Sequence, residues 1–178
     1  MHSIFDHEEI KPEPETKPPP KSPREQPGGL RSETSMTLQT RQAQKLVLGR
    51  KRSKDVEPII GLLDFGRRMK LIWLSAEADD PYADWFLLKI EASLQEARQL
   101  VQDKSSWLDN ILNDLEGFDI KMASSLQPIH VPIYFQNPYG YMGAYLVADY
   151  DALARSVFTA RHIGLIDRHT AEKILNIT

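Results

Sequence analysis

Six basic residues and no acidic one lie between Arg41 and Lys54: Arg41, Lys45, Arg50, Lys51, Arg52 and Lys54. The whole chain of 178 residues has a net charge of −3, so this local charge of +6 is concentrated rather than general. A cluster of this kind suits a polyanion. Lysine and arginine in such a run can hold backbone phosphates, and each contact releases a condensed counterion. At its leading edge, Gln39 and Arg41 are residue types that make paired hydrogen bonds to base edges in a major groove. The alternative is an ordinary solvated face, and where the side chains lie separates the two.

Other chemistries have less to build on. The chain has no cysteine, which removes disulfide frameworks and thiolate metal sites. His162 and His169 stand seven apart without a carboxylate or thiol at metal-ligand spacing. "GLLDFGRR" has two glycines five apart but no Lys-Ser/Thr after them, and it sits inside a helical pattern, so it is not a phosphate-cradling loop. No Ser-His-Asp or Cys-His set can be assembled from local motifs. Glu77, Asp79, Asp80 and Asp84 form an acidic cluster that helix capping explains without catalysis. The expectation is a protein that is not an enzyme and needs no cofactor or metal. No apolar run approaches the ~20 residues of a membrane span, and the N-terminus is too acidic and proline-rich for a signal peptide, so a soluble intracellular protein with no membrane partner is expected.

These groups need elements to carry them. Residues 1–35 hold seven of the twelve prolines and few apolar residues beyond Ile4, Phe5, Ile10 and Leu30. Such a segment cannot bury enough surface to offset its ordering entropy, and it reads as a disordered tail. Its "KPEPETKPPPKSPREQP" stretch favours polyproline II, a spacer or a docking strip if it is more than a solvated tail. Residues 36–178 read as a single domain. In "SMTLQTRQ", Met36, Leu38 and Thr40 alternate with Thr37, Gln39 and Arg41, which suits a short strand with a polar outer face. "RQAQKLVLGRKR" follows as a helix. After a break over 53–58 a second helix starts with Pro58 in its first turn, and Gly61 and Gly66 either weaken it or admit a close neighbour. Strand, helix, basic turn and helix is the order of a ribbon-helix-helix module, in which two chains pair their strands and lay the ribbon in the major groove.

Asp79 and Asp80 can cap the next helix, with Pro81 at its first position. From Tyr82 the helical pattern runs to Glu116, where Gly117 supplies a stop. Leu87, Leu94, Val101, Leu108 and Leu115 recur every seven residues, with Ile90, Ala97 and Ile111 in the second apolar position and Lys104 breaking the set. Such a seam needs a long partner helix, in the same chain or in a second subunit; the reading leans to a homodimer. The stretch 118–148 reads as a β-hairpin. Phe118, Ile120 and Met122 alternate, as do Ile129, Val131, Ile133 and Phe135, and Asn137-Pro138-Tyr139-Gly140 has turn chemistry before a strand-like run from Tyr141 to Val147. Pro132 moves its strand towards an edge. Five of the six tyrosines fall between Ile133 and Asp151. A base-stacking platform would need basic residues among them; none occurs from Ile133 to Asp149, so packing is favoured. Last, Asp149 or Asp151 starts a helix, Gly164 stops it and Asp167 caps another. The glycine and Ala160 fit a helix-turn-helix, but Thr170 and Lys173 fall where that motif wants buried aliphatics, which favours an ordinary helical hairpin over 149–178.

"LQTRQAQKLVLGR", "DDPYADWFLLKIE" and "NPYGYMGAYLVADYDALARSVFTARHIGLIDR", in this order and spacing, resemble the AcaB-like family encoded on integrating conjugative elements and conjugative plasmids. The likeness covers Leu38 to about Leu175 and leaves out the proline-rich tail. It implies a cytoplasmic bacterial DNA-binding transcriptional activator that promotes transfer-gene expression upstream of a master activator, and it favours a ribbon-helix-helix element. The binding residues come from the reading of the chain itself: Gln39 and Arg41 for bases, and Lys45, Arg50, Lys51, Arg52 and Lys54 for phosphates.

The expectation is an α+β, mainly helical dimer with a long heptad helix and a small antiparallel β-hairpin or sheet. A basic ribbon-helix-helix-like segment spans 36–54 and a helical core 55–116. Its partners are promoter double-stranded DNA, a second copy and the transcription machinery. The rival is a structural or adaptor protein of the conjugation apparatus, binding protein through the heptad seam and the proline-rich arm.

Overall fold

Met36 and Leu38 alternate with Ser35 and Thr37, and Thr34–Leu38 is a strand, β1, with its two apolar side chains buried and its polar ones exposed. The computed structural model describes residues 33–53 and 57–176. The tail reading falls outside the described residues except at its last three positions, and β1 takes in two of those, Thr34 and Ser35. β1 pairs antiparallel with β2, Ile129–Ile133, so that Thr34 faces Ile133 and Leu38 faces Ile129. Pro132 donates no backbone hydrogen bond, and a two-stranded sheet, being all edge, tolerates it.

Helix α1, Arg41–Leu48, starts under Thr40, whose hydroxyl accepts the Ala43 N–H. It stops earlier than the sequence suggested, at Gly49, whose φ of 74° reverses the chain. Helix α2, Leu62–Glu77, also starts later than expected. Pro58 is not in its first turn, because the chain around Ile59 runs alongside α1's end: Arg50 and Ile59 exchange backbone hydrogen bonds at 2.8 and 2.9 Å. A Cβ on Gly61 would stand 2.5 Å from the Val47 carbonyl oxygen, so glycine is what lets this strap cross. Close approach, the second of the two roles considered for Gly61 and Gly66, holds for both, since Phe135 packs its ring onto Gly66.

Helix α3 runs from Pro81 to Asn113, with Asp80 accepting the Tyr82 and Ala83 N–H groups as its cap. Leu87, Val101 and Leu108 of the heptad seam are buried, and Ile90, Leu94, Ala97 and Ile111 half-buried. What covers the seam is α4, Pro138–His162, together with α2, all within one chain. The seam therefore needs no second subunit, and the argument for a dimer drawn from it falls away.

The β-hairpin over 118–148 does not form. Phe118, Ile120 and Met122 lie in irregular chain, and the run taken for a second strand is the first third of α4. Asn137-Pro138 is a helix start rather than a turn: the Asn137 side chain accepts the Gly140 N–H at 2.8 Å and donates to the Gly66 carbonyl at 3.2 Å, with Pro138 in the first turn. Asp149 and Asp151, expected to start a helix, sit in its middle. The α+β class stands, mainly helical with one small antiparallel sheet.

Three apolar clusters meet α4: Met69, Leu87 and Tyr139 gather at its first turn, and the other two take it as their spine. Met36, Leu38, Val47, Leu62 and Ile133 gather on its first half, and Val101, Leu108, Leu153, Val157 and Ile174 on its second. Helix α5, Arg168–Leu175, follows the turn at Gly164 and buries Ala171 and Ile174, the arrangement of a packed hairpin. Among the described residues no helix is long and apolar enough to cross a membrane.

Candidate nucleic-acid interface

The corner between β1 and α1 carries the candidate residues, and one buried carboxylate fixes it. Asp151 on α4, 5% exposed, accepts the Gln39 and Thr40 N–H groups at 2.8 Å each and the Thr40 hydroxyl at 2.6 Å. Three donors satisfy a charge that would be costly to bury alone. Thr40 is thereby held as the cap of α1, and the helix leaves the strand in one direction.

Beyond that corner the predicted residues divide. Arg41 and Lys45, four apart, share an exposed face of α1, and Lys51 and Arg52 are exposed in the chain after it. Among the described residues none of these four is in an ion pair. Gln39 is half-buried, and its side-chain oxygen accepts the Ser125 N–H at 2.9 Å, so that oxygen is already committed inside the molecule. Arg50 donates through Nε and Nη2 to the Glu57 carbonyl at 3.1 and 2.9 Å, closing the strap and leaving Nη1 over. Lys54 lies outside the described residues. The strand order also differs from two chains pairing ribbons: β1 has its partner, β2, in the same chain, and the outer face carries Ser35, Thr37 and His130, with the Thr37 hydroxyl 3.0 Å from His130 Nδ1.

Sequence reasoning passed over the basic residues of α2. Arg67, Arg68 and Lys70 are exposed, and Arg67 bridges Asp64 at 2.7 Å. A shallow groove of about 260 Å³ runs between Arg67 and Lys70 on one side and Pro132, Tyr134 and Gln136 on the other. The available signal was the three-residue spacing of Arg67 and Lys70, which places them on one helix face. His130 was legible as an outward position in the alternation of "IHVPI".

The tyrosines do not form a reading surface. Tyr139, Tyr141 and Tyr150 pack into the clusters, and Tyr150 donates to the Leu175 carbonyl at 3.0 Å while burial pushes its pKa up. Tyr145 is half exposed on α4, with the Arg98 guanidinium 5.6 Å from its ring centre. Those four rings lie around a helix and share no flat face, and Tyr134, ahead of it, stands exposed by itself at the edge of the groove beside Arg67 and Lys70.

Strand, α1, basic strap and α2, with an α3–α4 body behind, is an arrangement that can be compared with known proteins. The family model described as the transcriptional regulator AcaB matches residues 26–178. The chain belongs to the AcaB family. The match begins ahead of Leu38, so the AcaB pattern reaches into the end of the proline-rich arm. Membership places the chain among transcriptional regulators. The crystal structure of selenomethionine-containing AcaB from uropathogenic E. coli aligns with a TM-score of 0.63 at 15% identity, over 81% of this chain and 69% of that one. At that identity the likeness establishes the AcaB fold. No curated protein sequence gives a significant match.

Proposed function

We propose that this chain is a sequence-specific double-stranded-DNA-binding regulator that activates conjugative-transfer promoters on a mobile element. It acts in the bacterial cytoplasm as a homodimer, with no cofactor and no catalytic step. The observation that carries this reading is the exposed basic corner of α1 and its strap, set on a junction held by Asp151 in a chain of a regulator family. Arg41 is assigned to base edges, and Lys45, Lys51 and Arg52 to phosphates. Gln39 contributes through its amide NH₂, Arg50 through Nη1, and Lys54 by its place in the run.

The β1–β2 ribbon, made within one chain where a ribbon-helix-helix module uses two, supports groove docking of a ribbon-helix-helix-like kind only in that a two-stranded ribbon fits a major groove and its outer face is polar. Support for a second copy comes from apolar side chains left open at the basic corner, Leu48 at the end of α1 and Ile60 in the strap, both at least half exposed. The acidic outer side of α3 is assigned to the transcription machinery.

One observation favours the rival reading of an adaptor in the conjugation apparatus. Trp85 and Phe86 pack edge to face on α3, ring centres 5.1 Å apart, and both stay about half exposed, a patch suited to protein. Mobility-shift titrations on promoter fragments from the same element separate the two. The regulator gives a discrete complex that survives excess random DNA and weakens steeply with salt. No complex on any fragment would overturn it in favour of the adaptor.

A further inference from the structure

We propose that the cavity between the end of α2, the start of α3 and the first turn of α4 binds a small organic cation, an aliphatic amine or guanidine. The cavity measures about 540 Å³, within the usual range for small-molecule sites. Its lining has one chemical character. Trp73 and Tyr139 supply aromatic faces, with ring centres 5.9 Å apart. Glu77 and Asp84 supply carboxylates, and Ala76 and Leu87 an apolar floor.

Among the described residues no lysine or arginine lines this space. Among the described residues neither Glu77 nor Asp84 is in an ion pair, and Glu77 accepts the Trp73 indole N–H at 2.8 Å. Tyr139 points the same way independently. Its ring is buried, the residue being 9% exposed, while its hydroxyl is open to the space: no buried side-chain oxygen or nitrogen among the described residues lacks a partner, and none of the described hydrogen bonds is the Tyr139 hydroxyl's. Burial first, then the carboxylates of Glu91 and Asp84, pushes its pKa up, so the phenol stays a neutral neighbour of those carboxylates. Aromatic faces beside carboxylates are how proteins hold ammonium groups. A methylene chain would lie over Leu87 and Ala76 with its charged heads at Glu77 and Asp84. This inference does not depend on the DNA-binding reading.

The test is calorimetry on the full-length protein at fixed ionic strength, with putrescine, spermidine and agmatine as probes. Capped lysine and arginine amides form a second arm. Saturable binding at or below about 1 mM is expected for the free amines. It should weaken about tenfold in Glu77→Gln/Asp84→Asn and less in Tyr139→Phe, which keeps the ring and its packing. Binding by the capped side chains alone would keep the site and assign its cation to a partner protein. Absence of saturable binding by either arm overturns the proposal, as does equal affinity in a Glu77→Gln/Asp84→Asn protein that melts like the parent. If that double variant does not fold, the Tyr139→Phe protein decides: unchanged affinity there, with spermidine failing to quench Trp73 in the parent, also overturns it.

Discussion

Residues 33–76 carry nine basic and four acidic side chains; residues 77–119 carry three and eleven. The helices of these stretches lean on the same supports, α1 on α2 and α4, and α3 on α2 and α4. Exposure does not distinguish them, because both stretches hold charge in the open. Structural employment separates individual charges in both: in the basic stretch Arg67 bridges Asp64 and Arg50 closes the strap, and the α1 corner is what remains. On α3, Asp80 is spent as a cap and Arg98 is bridged to Asp149 at 2.7 Å, with Gln102 adding a hydrogen bond to the same carboxylate. Arg41, Lys45, Lys51 and Arg52 are in no ion pair among the described residues. A helix N-terminus attracts acids, which accounts for Asp80 and Asp84. The C-terminus of α1 attracts bases by the same rule, which accounts for Lys45 in its last turn. That pull falls off within a turn and leaves Arg41, Lys51 and Arg52 without a structural task, and such charges are where a polyanion would be met.

The comparison breaks most visibly under charge reversal. Changing Lys45, Lys51 and Arg52 together to Glu should lower affinity for specific promoter DNA by about 100-fold or more at physiological salt, read by fluorescence anisotropy. Retained affinity would mean that the basic corner is only a solvated face. Asp151→Ala tests the support beneath it. Two backbone N–H groups and a hydroxyl lose their acceptor. The expected cost is about 3 kcal/mol, a fall in the melting midpoint of roughly 6–12 °C, with DNA affinity reduced about tenfold as the corner loosens. A midpoint within about 2 °C of the parent would show that Asp151 does not hold the corner. Gly61→Ala should act more gently. The added methyl would stand 2.5 Å from the Val47 oxygen, displacing the strap at a cost of about 1–2 kcal/mol and weakening DNA binding a few-fold. Unaltered stability in urea would show that the strap has room to move.

What the sequence disclosed follows from how local each signal is. β1, the Asp80-Pro81 start of α3, the Gly164 turn and the Asp167 cap were readable because neighbouring residues decide them. The heptads of α3 were readable as needing a partner. They were silent on which one, since periodicity records a buried face and not its occupant. α4 was misread because Tyr141 to Val147 is an apolar, aromatic run of strand length while residues 139, 140, 143, 144 and 147 follow helical spacing, and Asn137-Pro138 serves a turn or a helix start equally well. The Asn137 contact with Gly66, 71 residues away, decides in favour of the helix. The site was legible in its charges and not in its mounting. Asp151 reaches Gln39 and Thr40 across 112 and 111 residues, and Gln39 spends its oxygen on Ser125 across 86, so no local pattern announces either.

Charges that do have a structural task sharpen the contrast through pH. Thr170, by its side chain and its backbone N–H, holds the Asp167 carboxyl below the ordinary range, and Arg168 does the same for Glu172. Carboxyls depressed in the folded state stabilise it above their unfolded pKa values and lose that contribution as pH falls through the folded ones. α5 should therefore fray first on acidification, seen as faster amide exchange in 168–175, the smallest of these effects. Uniform exchange along the chain at low pH would contradict the assignment.

The most direct measurement is the slope of log affinity against log salt for two variants with the same change in net charge. Lys45→Gln/Lys51→Gln removes two charges from the basic corner, and Lys89→Gln/Lys104→Gln removes two from α3. The account predicts that the slope becomes shallower by about 2 in the first variant and keeps the parent's value in the second. Equal slopes in the two variants would contradict it, because the DNA would then be responding to the charge of the whole chain and not to the corner at α1.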